Sequence, residues 1–76
     1  MNNARRKLLN DIKDKIDDLR IDLEQLLEDE QDYLDNIPEN MQSGERYEKS
    51  EEAVSALEDA VSSLEEASDC IDTAVE

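Results

Sequence analysis

Apolar residues recur every seven positions between Glu51 and Val75, in the segments EEAVSAL, EDAVSSL, EEASDCI and DTAVE. Valine or serine stands at positions 54, 61, 68 and 75, and Leu57, Leu64 and Ile71 follow three positions later. This period is typical of a coiled-coil helix. A single helix with so narrow an apolar stripe is not stable alone in water, because packing supplies most helical stability. The pattern therefore predicts a helix together with a partner helix.

The first half of the chain carries a matching pattern. Its seven-residue frame, with Leu9 at heptad position a and Ile12 at position d, holds as far as Pro38. It predicts a first helix from about residue 3 to 35, roughly 50 Å long. The apolar positions of the frame are Leu9, Ile12, Ile16, Leu19, Leu23 and Leu26, followed by Glu30, Tyr33 and Ile37.

Residues 36–44 contain the only proline and the only glycine, and they predict a turn. Asn36 suits a left-handed position at the helix end, and Ser43 or Gly44 suits the start of a second helix over about 45–75. Ile37 and Met41 are expected to cover the end of the core. The predicted fold is therefore all-α: one antiparallel coiled-coil hairpin over residues 1–76, with dimerisation into a four-helix bundle as a possibility.

Pairing the helices about residue 40 aligns the apolar layers. In this register the residues at position e of the two helices face each other, which predicts ion pairs of Arg6 with Asp72, Lys13 with Glu65 and Arg20 with Glu58. Such exposed pairs specify the register of the helices more than they stabilise the fold. A register shifted by one heptad remains an alternative. The aligned pairs are Tyr33 with Tyr47, Glu30 with Ser50, Leu26 with Val54, Leu23 with Leu57, Leu19 with Val61, Ile16 with Leu64, Ile12 with Ser68 and Leu9 with Ile71.

Small residues repeat at position g of the second helix. This stripe either serves close packing of the two helices or forms a groove for a third helix or a second copy of the hairpin. The apolar surface of the first helix is also wider than one facing helix would cover, because it includes Leu8, Leu27 and Leu34. This favours a homo-oligomer, most simply a homodimer. The stripe consists of Ala53, Ala60, Ala67 and Ala74.

The chain is strongly acidic: its 76 residues include 23 acidic and 8 basic side chains and no histidine, a net charge of −15. Direct nucleic-acid binding is not expected, because phosphates need lysine and arginine. A basic protein is the complementary partner. Composition of this kind favours disorder, but the regular apolar spacing argues for a folded chain.

The sequence gives no indication of an enzyme, a cofactor or a metal site. Without histidine there is no imidazole base, and Gly44 alone cannot form a phosphate-binding loop. The carboxylates of residues 28–35 lack the spacing of a calcium loop and are expected to be a solvated helix face. Cys70 is expected to be an inert surface thiol, with an intermolecular disulfide as the alternative. No signal peptide or membrane span is expected, so the predicted location is the cytoplasm.

Acidic residues concentrate near the turn. Residues 1–20 hold six basic and four acidic side chains, whereas residues 21–45 hold nine acidic and none basic. Rows of carboxylates along a rod could imitate the phosphates of a duplex, or could simply maintain solubility. Ile21, amid these charges, is either an ordinary surface residue or an anchor for a partner. The candidate partner-binding residues are Asp22, Glu24, Glu28, Asp29, Asp32, Asp35, Glu39, Glu52, Asp59 and Glu66.

The segment NIPENMQSGERYE, residues 36–48, followed by the heptads, resembles short acidic proteins encoded by phages and prophages of Gram-positive bacteria. The resemblance implies a small accessory protein acting in the host cytoplasm, and it carries over no catalytic residue. Small acidic phage proteins are similar to inhibitors of host nucleic-acid-binding defence systems, including anti-CRISPR proteins. We therefore expect a non-enzymatic module that inhibits a basic host protein, with a structural coiled-coil oligomer as the alternative.

Overall fold

Two long helices form the whole fold. The computed structural model describes residues 1–76, with helix α1 over Asn3–Asp35, a single turn of 3-10 helix over Glu39–Met41, and helix α2 over Glu45–Val75. The helices pack against each other as an antiparallel pair, a rod of 59 by 15 by 13 Å. The predicted all-α hairpin is confirmed. Neither helix contains a stretch that is both long and apolar enough to cross a lipid bilayer.

Side-chain caps define the ends of α1. Asn2 Oδ1 accepts a hydrogen bond from the backbone N–H of Arg5 at 2.8 Å, which satisfies one unpaired donor of the first turn. At the other end, Asn36 Nδ2 donates to the carbonyl of Asp32 at 2.8 Å. Asn36 has φ −91° and ψ 0°, so the predicted left-handed conformation was wrong. Its side chain and backbone N–H together satisfy carbonyls that a left-handed residue would otherwise help to cap.

The turn covers one end of the core with a single side chain. Ile37 is buried against Leu34 and Val54, whereas Met41, predicted to share this role, is 48 % exposed. Met41 lies in the 3-10 turn, where its backbone N–H bonds to the carbonyl of Pro38 at 2.8 Å. Gly44 then begins α2 in an extended conformation, with φ −84°.

The buried face of α1 differs from the predicted one. Position a faces α2 as expected, but its companion is position e and not position d. The residues at d were predicted to be core and are exposed: Ile12 by 46 %, Leu19 by 56 %, Leu26 by 57 % and Tyr33 by 39 %. The residues of α1 that face α2 at these two positions are Leu9, Lys13, Ile16, Arg20, Leu23, Leu27, Glu30 and Leu34.

The turn end of the core explains this rotation. There, position a of α1 is Glu30, whereas position e supplies Leu27 and Leu34, which pack with Ile37 and Val54. The alternative companion, position d, supplies Leu26 and Tyr33 here, and burying two leucines gives more stabilisation than burying a leucine and a tyrosine whose hydroxyl needs a hydrogen-bond partner. The same two positions face α2 along the whole of α1, as in a supercoiled pair, so Lys13 and Arg20 are turned toward α2 and the d residues lie outside.

Helix α2 buries its predicted face at positions a and d. Ser50, Val54, Val61 and Ser68 are buried, and Leu57, Leu64 and Ile71 are half-buried. The only buried hydrophobic residues are Leu34, Ile37, Val54 and Val61, and no large side chain is fully buried. The hairpin therefore has a thin core for its length.

The register agrees with the prediction at one point and departs from it at others. Ser50 contacts Glu30, as predicted, with 2.9 Å between Oγ and Oε1. Ser68, however, was predicted to face Ile12 and instead donates a hydrogen bond to Asp17. Lys13 pairs with Asp72 and Arg20 with Glu65, each one heptad further along α2 than predicted. These two ion pairs belong to the alternative register shifted by one heptad, whereas the contact of Glu30 with Ser50 belongs to the first register, so the alignment of the helices lies between the two.

Candidate functional site

The two long sides of the hairpin have opposite character. On one side, the e and b positions of α1 meet the e position of α2, where Lys13 Nζ lies 3.6 Å from Asp72 and Arg20 lies 4.0 Å from Glu65. We call this side the charged flank. Within α1, Lys13 also pairs with Asp17 at 3.3 Å, and Arg20 with Glu24 at 2.8 Å.

The opposite side follows from helix geometry. Positions d and e lie on either side of position a, so the d residues of α1 must emerge on the side away from the charged flank. In α2, position e lies on the charged flank, so position g lies on the opposite side as well. This second side, which we call the apolar flank, consists of Ile12, Leu19 and Leu26 of α1 with Ala53, Ala60 and Ala67 of α2.

The part of α2 that borders the apolar flank is free of charge. From residue 53 to 75, positions a, c, d and g hold only alanine, valine, leucine, isoleucine, serine and cysteine. Ala53, Ala60 and Ala67 are half-buried beside the helix contact, and Ala74 is exposed. The exposed Cys70 lies in this uncharged sector at position c. The alanine stripe therefore lies beside the contact with α1 and stays partly accessible to solvent.

Asp17 is the most connected side chain of the charged flank. The hydroxyl of Ser68 donates to Asp17 Oδ1 at 2.8 Å, and this hydrogen bond lowers the pKa of the Asp17 carboxyl below its ordinary value of 3.8, with Lys13 and Arg20 contributing. The hydrogen bond from Lys13 to Asp17 in turn raises the pKa of the Lys13 ammonium, assisted by Asp72. These groups line a shallow polar cleft with Glu65 and Asp69. Their mutual pairing indicates a structural role.

Nine of the ten predicted acidic residues are exposed and have no cation within 4.0 Å. Glu24 differs, because it is half-buried and paired with Arg20. Asp35 accepts a hydrogen bond from Gln31 at 2.9 Å. The carboxylates lie on the sides of the helices that face away from each other: Asp22, Glu28, Asp29, Asp32 and Asp35 on α1, Glu52, Asp59 and Glu66 on α2, and Glu39 at the turn.

The carboxylates of the turn-proximal half diverge. No group of three or more carboxylate, cysteine or histidine side chains is arranged to hold a metal ion anywhere in the chain. The run from Glu28 to Asp35 instead spreads around α1, with Glu30 turned inward to Ser50. The arrangement offers distributed negative charge and no chelating site.

The turn end carries a feature that sequence reasoning missed. The Arg46 guanidinium lies 5.3 Å from the centre of the Tyr33 ring and bonds to its hydroxyl, beside a small niche formed by Ile37, Pro38 and Met41. The sequence signal for this contact was Arg46, the only arginine near the turn, together with Tyr33 at position d of α1. Ile21, at position f of α1, is 52 % exposed and lies on neither flank.

The chain was compared with protein-family models, curated proteins and solved structures, and it matches none of them.

Proposed function

We propose that this protein is a non-enzymatic binding module whose acidic outer surface occupies the nucleic-acid-binding surface of a basic protein. The observation that supports it best is the linear density of charge. A net charge of −15 spread over 59 Å corresponds to roughly one negative charge per 4 Å. One strand of DNA carries one charge per about 3.4 Å. The rod therefore resembles a single strand in charge per length, with carboxylates in place of phosphates.

The availability of these carboxylates also supports the proposal. The ion pairs between the helices involve Lys13 and Arg20, in the half of the rod that contains the termini. In the turn-proximal half of α1, Asp22, Glu28 and Asp29 have no cation within 4.0 Å. Unpaired carboxylates keep their full attraction for lysine and arginine of a partner, so this half is the proposed contact region.

The resemblance to small acidic phage proteins suggests the class of partner. A basic host protein that binds nucleic acid, such as a component of a defence system, has a surface that phosphates normally occupy. A rigid acidic rod that occupied this surface would inhibit the protein without catalysis, in the manner of an anti-CRISPR inhibitor. The module needs no cofactor for such an activity.

Two matched variants test the proposal. Asp22→Asn/Asp29→Asn/Asp32→Asn removes three carboxylates near the turn, and Asp11→Asn/Asp14→Asn/Asp18→Asn removes three from the other half of the same helix. Both have the same net charge, and all six positions are exposed. The wild-type protein should capture a basic nucleic-acid-binding protein from a Gram-positive host lysate, and the first variant should capture it much more weakly than the second.

The captured complex provides the deciding measurement. Its affinity should fall as salt rises, because the attraction is screened, and an oligonucleotide should displace the acidic protein. A partner that binds both variants equally, or whose affinity is the same at low and high salt, would contradict the proposal.

A second candidate function is a structural assembly module, and the exposed apolar flank favours it. In this case charge only maintains solubility, and activity depends on the alanine stripe. Replacing Ala60 and Ala67 by leucine or glutamate should abolish an assembly function while leaving an electrostatic one largely intact. Asp22→Asn/Asp29→Asn/Asp32→Asn should have the opposite effect.

A further inference from the structure

The apolar flank is an unpartnered face that runs along most of the rod. Ile12, Leu19 and Leu26 stand in a row on α1, each about half exposed, at 46 %, 56 % and 57 %. Leu8, 63 % exposed, precedes them by one turn. A regular row of large apolar side chains is unusual on the surface of a small monomer and marks an interaction site.

We infer that a second copy of this chain covers the apolar flank, so that two hairpins form a four-helix bundle with the acidic surfaces outward. The flank is complementary to itself. Its large side chains all lie on α1 and its small ones all lie on α2, at the same seven-residue spacing. A two-fold axis that places α1 of each copy over α2 of the other sets leucine and isoleucine against alanine on both sides.

The distribution of charged side chains on the rod allows a second copy to dock on the apolar flank and on few other surfaces. Positions a, c, d and g of α2 carry no charged residue from 53 to 75, so α2 brings no carboxylate into the contact, and Asp22 and Asp29, at position g of α1, border the row at its solvent-exposed edge. The remaining sides of the rod carry the carboxylates. A second copy can therefore approach closely only on the apolar flank.

The available area suits a stable dimer. One face of a rod 59 Å long and 15 Å wide offers on the order of 800 Å², which is what each partner buries in a standard protein–protein interface. The single hairpin needs such a contact, since it has only four buried hydrophobic residues and no large side chain that is fully buried. Oligomerisation is a common way for chains of this size to gain a sufficient core.

The bundle would bring the rod's charge close to that of duplex DNA. Two copies side by side would carry twice −15 over the same 59 Å, or roughly one charge per 2 Å. Duplex DNA carries one per about 1.7 Å. This consequence rests on the proposed function, whereas the dimer itself rests only on the apolar flank.

Sedimentation equilibrium of the full chain tests the inference. The wild-type protein should have twice the mass of the 8.7 kDa chain, and raising the salt concentration should tighten the dimer by screening repulsion. A helical protein that remains a monomer at high micromolar concentration in high salt, or that forms a trimer, would overturn it. Salt should weaken binding to a basic partner, whereas it should tighten the dimer. The experiments can therefore contradict the proposed function and the dimer independently of each other.

Leu19→Glu and Ile21→Glu form a matched pair two residues apart, with side chains 56 % and 52 % exposed. Leu19→Glu places a charge on the apolar flank and should weaken the dimer by at least about 100-fold, since each copy contributes the change. Ile21→Glu lies off the flank and should change the dissociation constant less than about threefold. Equal effects of the two substitutions would contradict the inference. If circular dichroism shows that Leu19→Glu unfolds, Leu19→Gln and Ile21→Gln repeat the comparison without the charge.

Discussion

Ser68 donates a hydrogen bond to Asp17 across the contact between the helices, with 2.8 Å between Oγ and Oδ1. Ser68 is buried at a position where the two preceding heptads place Val54 and Val61. Ser50 makes the corresponding contact with Glu30 near the turn, at 2.9 Å. A polar residue at a core position costs stability but specifies register, because sliding by one heptad would leave a buried hydroxyl without its partner.

Replacing both serines by valine should therefore raise stability and relax the register. Ser50→Val/Ser68→Val buries two apolar side chains in place of hydroxyls, and each is worth about 1.5 kcal/mol before the lost hydrogen bond is subtracted. We expect a higher Tm with broader or duplicated amide resonances from α1. Ser55→Val/Ser62→Val, at exposed positions, is the control and should change neither. A lower Tm for the core variant would contradict this view of the two serines.

Acid should remove the contribution of Asp17. Because the pKa of its carboxyl is lower in the folded chain than its ordinary 3.8, its stabilising contribution is fully present above that pH and is lost as the pH falls through the lower folded value. Asp17→Asn should thus lower Tm at neutral pH, and the difference from wild type should shrink below pH 3.8. Asp18→Asn, an exposed neighbour, should show no such difference. The measurement is Tm against pH for the three proteins.

Adjacent leucines of α1 test which face is buried. Leu27 packs against Leu34 and Val54, whereas Leu26 is 57 % exposed. Leu27→Ala should reduce the free energy of unfolding by about 2 kcal/mol, and Leu26→Ala by less than about 0.5 kcal/mol at concentrations where the chain is monomeric. Urea denaturation followed by circular dichroism gives both values. The a and d pattern alone predicts the reverse order, so the result separates the two faces.

Salt should stabilise this protein. Five ion pairs are present, and all involve side chains at least partly exposed to solvent, so each contributes little. Repulsion within a net charge of −15 acts against the folded rod. Raising ionic strength from about 0.01 M to about 1 M shortens the Debye length from about 30 Å to about 3 Å, and Tm should rise. A Tm that fell with salt would show that the ion pairs dominate.

The hairpin could be predicted from the sequence because its signals are local. The seven-residue period, and the single proline and glycine between residues 36 and 44, indicate two helices joined by a turn. The rotation of α1 could not be predicted from the period alone, since positions d and e are both rich in apolar residues near the turn. Choosing between them requires weighing Leu27 and Leu34 against Leu26 and Tyr33 in contact with α2.

The candidate surfaces were predictable to different degrees. The acidic residues were correctly expected to be exposed, because charged side chains rarely lose their hydration without a partner. Glu24 was the exception, since its pairing with Arg20 depends on the helix geometry of that turn. Only part of the apolar flank was predicted. The alanine stripe was identified from the sequence, but Ile12, Leu19 and Leu26, which lie beside it, were expected to be buried inside the hairpin and are exposed.

Both surfaces depend on the register of α1 against α2, and thiol cross-linking tests it most directly. In a Cys70→Ser background, Asp17→Cys/Ser68→Cys places two thiols at a hydrogen-bonded pair, and Ile12→Cys/Ser68→Cys places them at the pair expected from the a and d pattern. A short bifunctional thiol reagent at low protein concentration should link the first pair rapidly within one chain, as mass spectrometry would show. Faster linkage of the second pair would contradict the structure, and with it the placement of the acidic surface and the apolar flank.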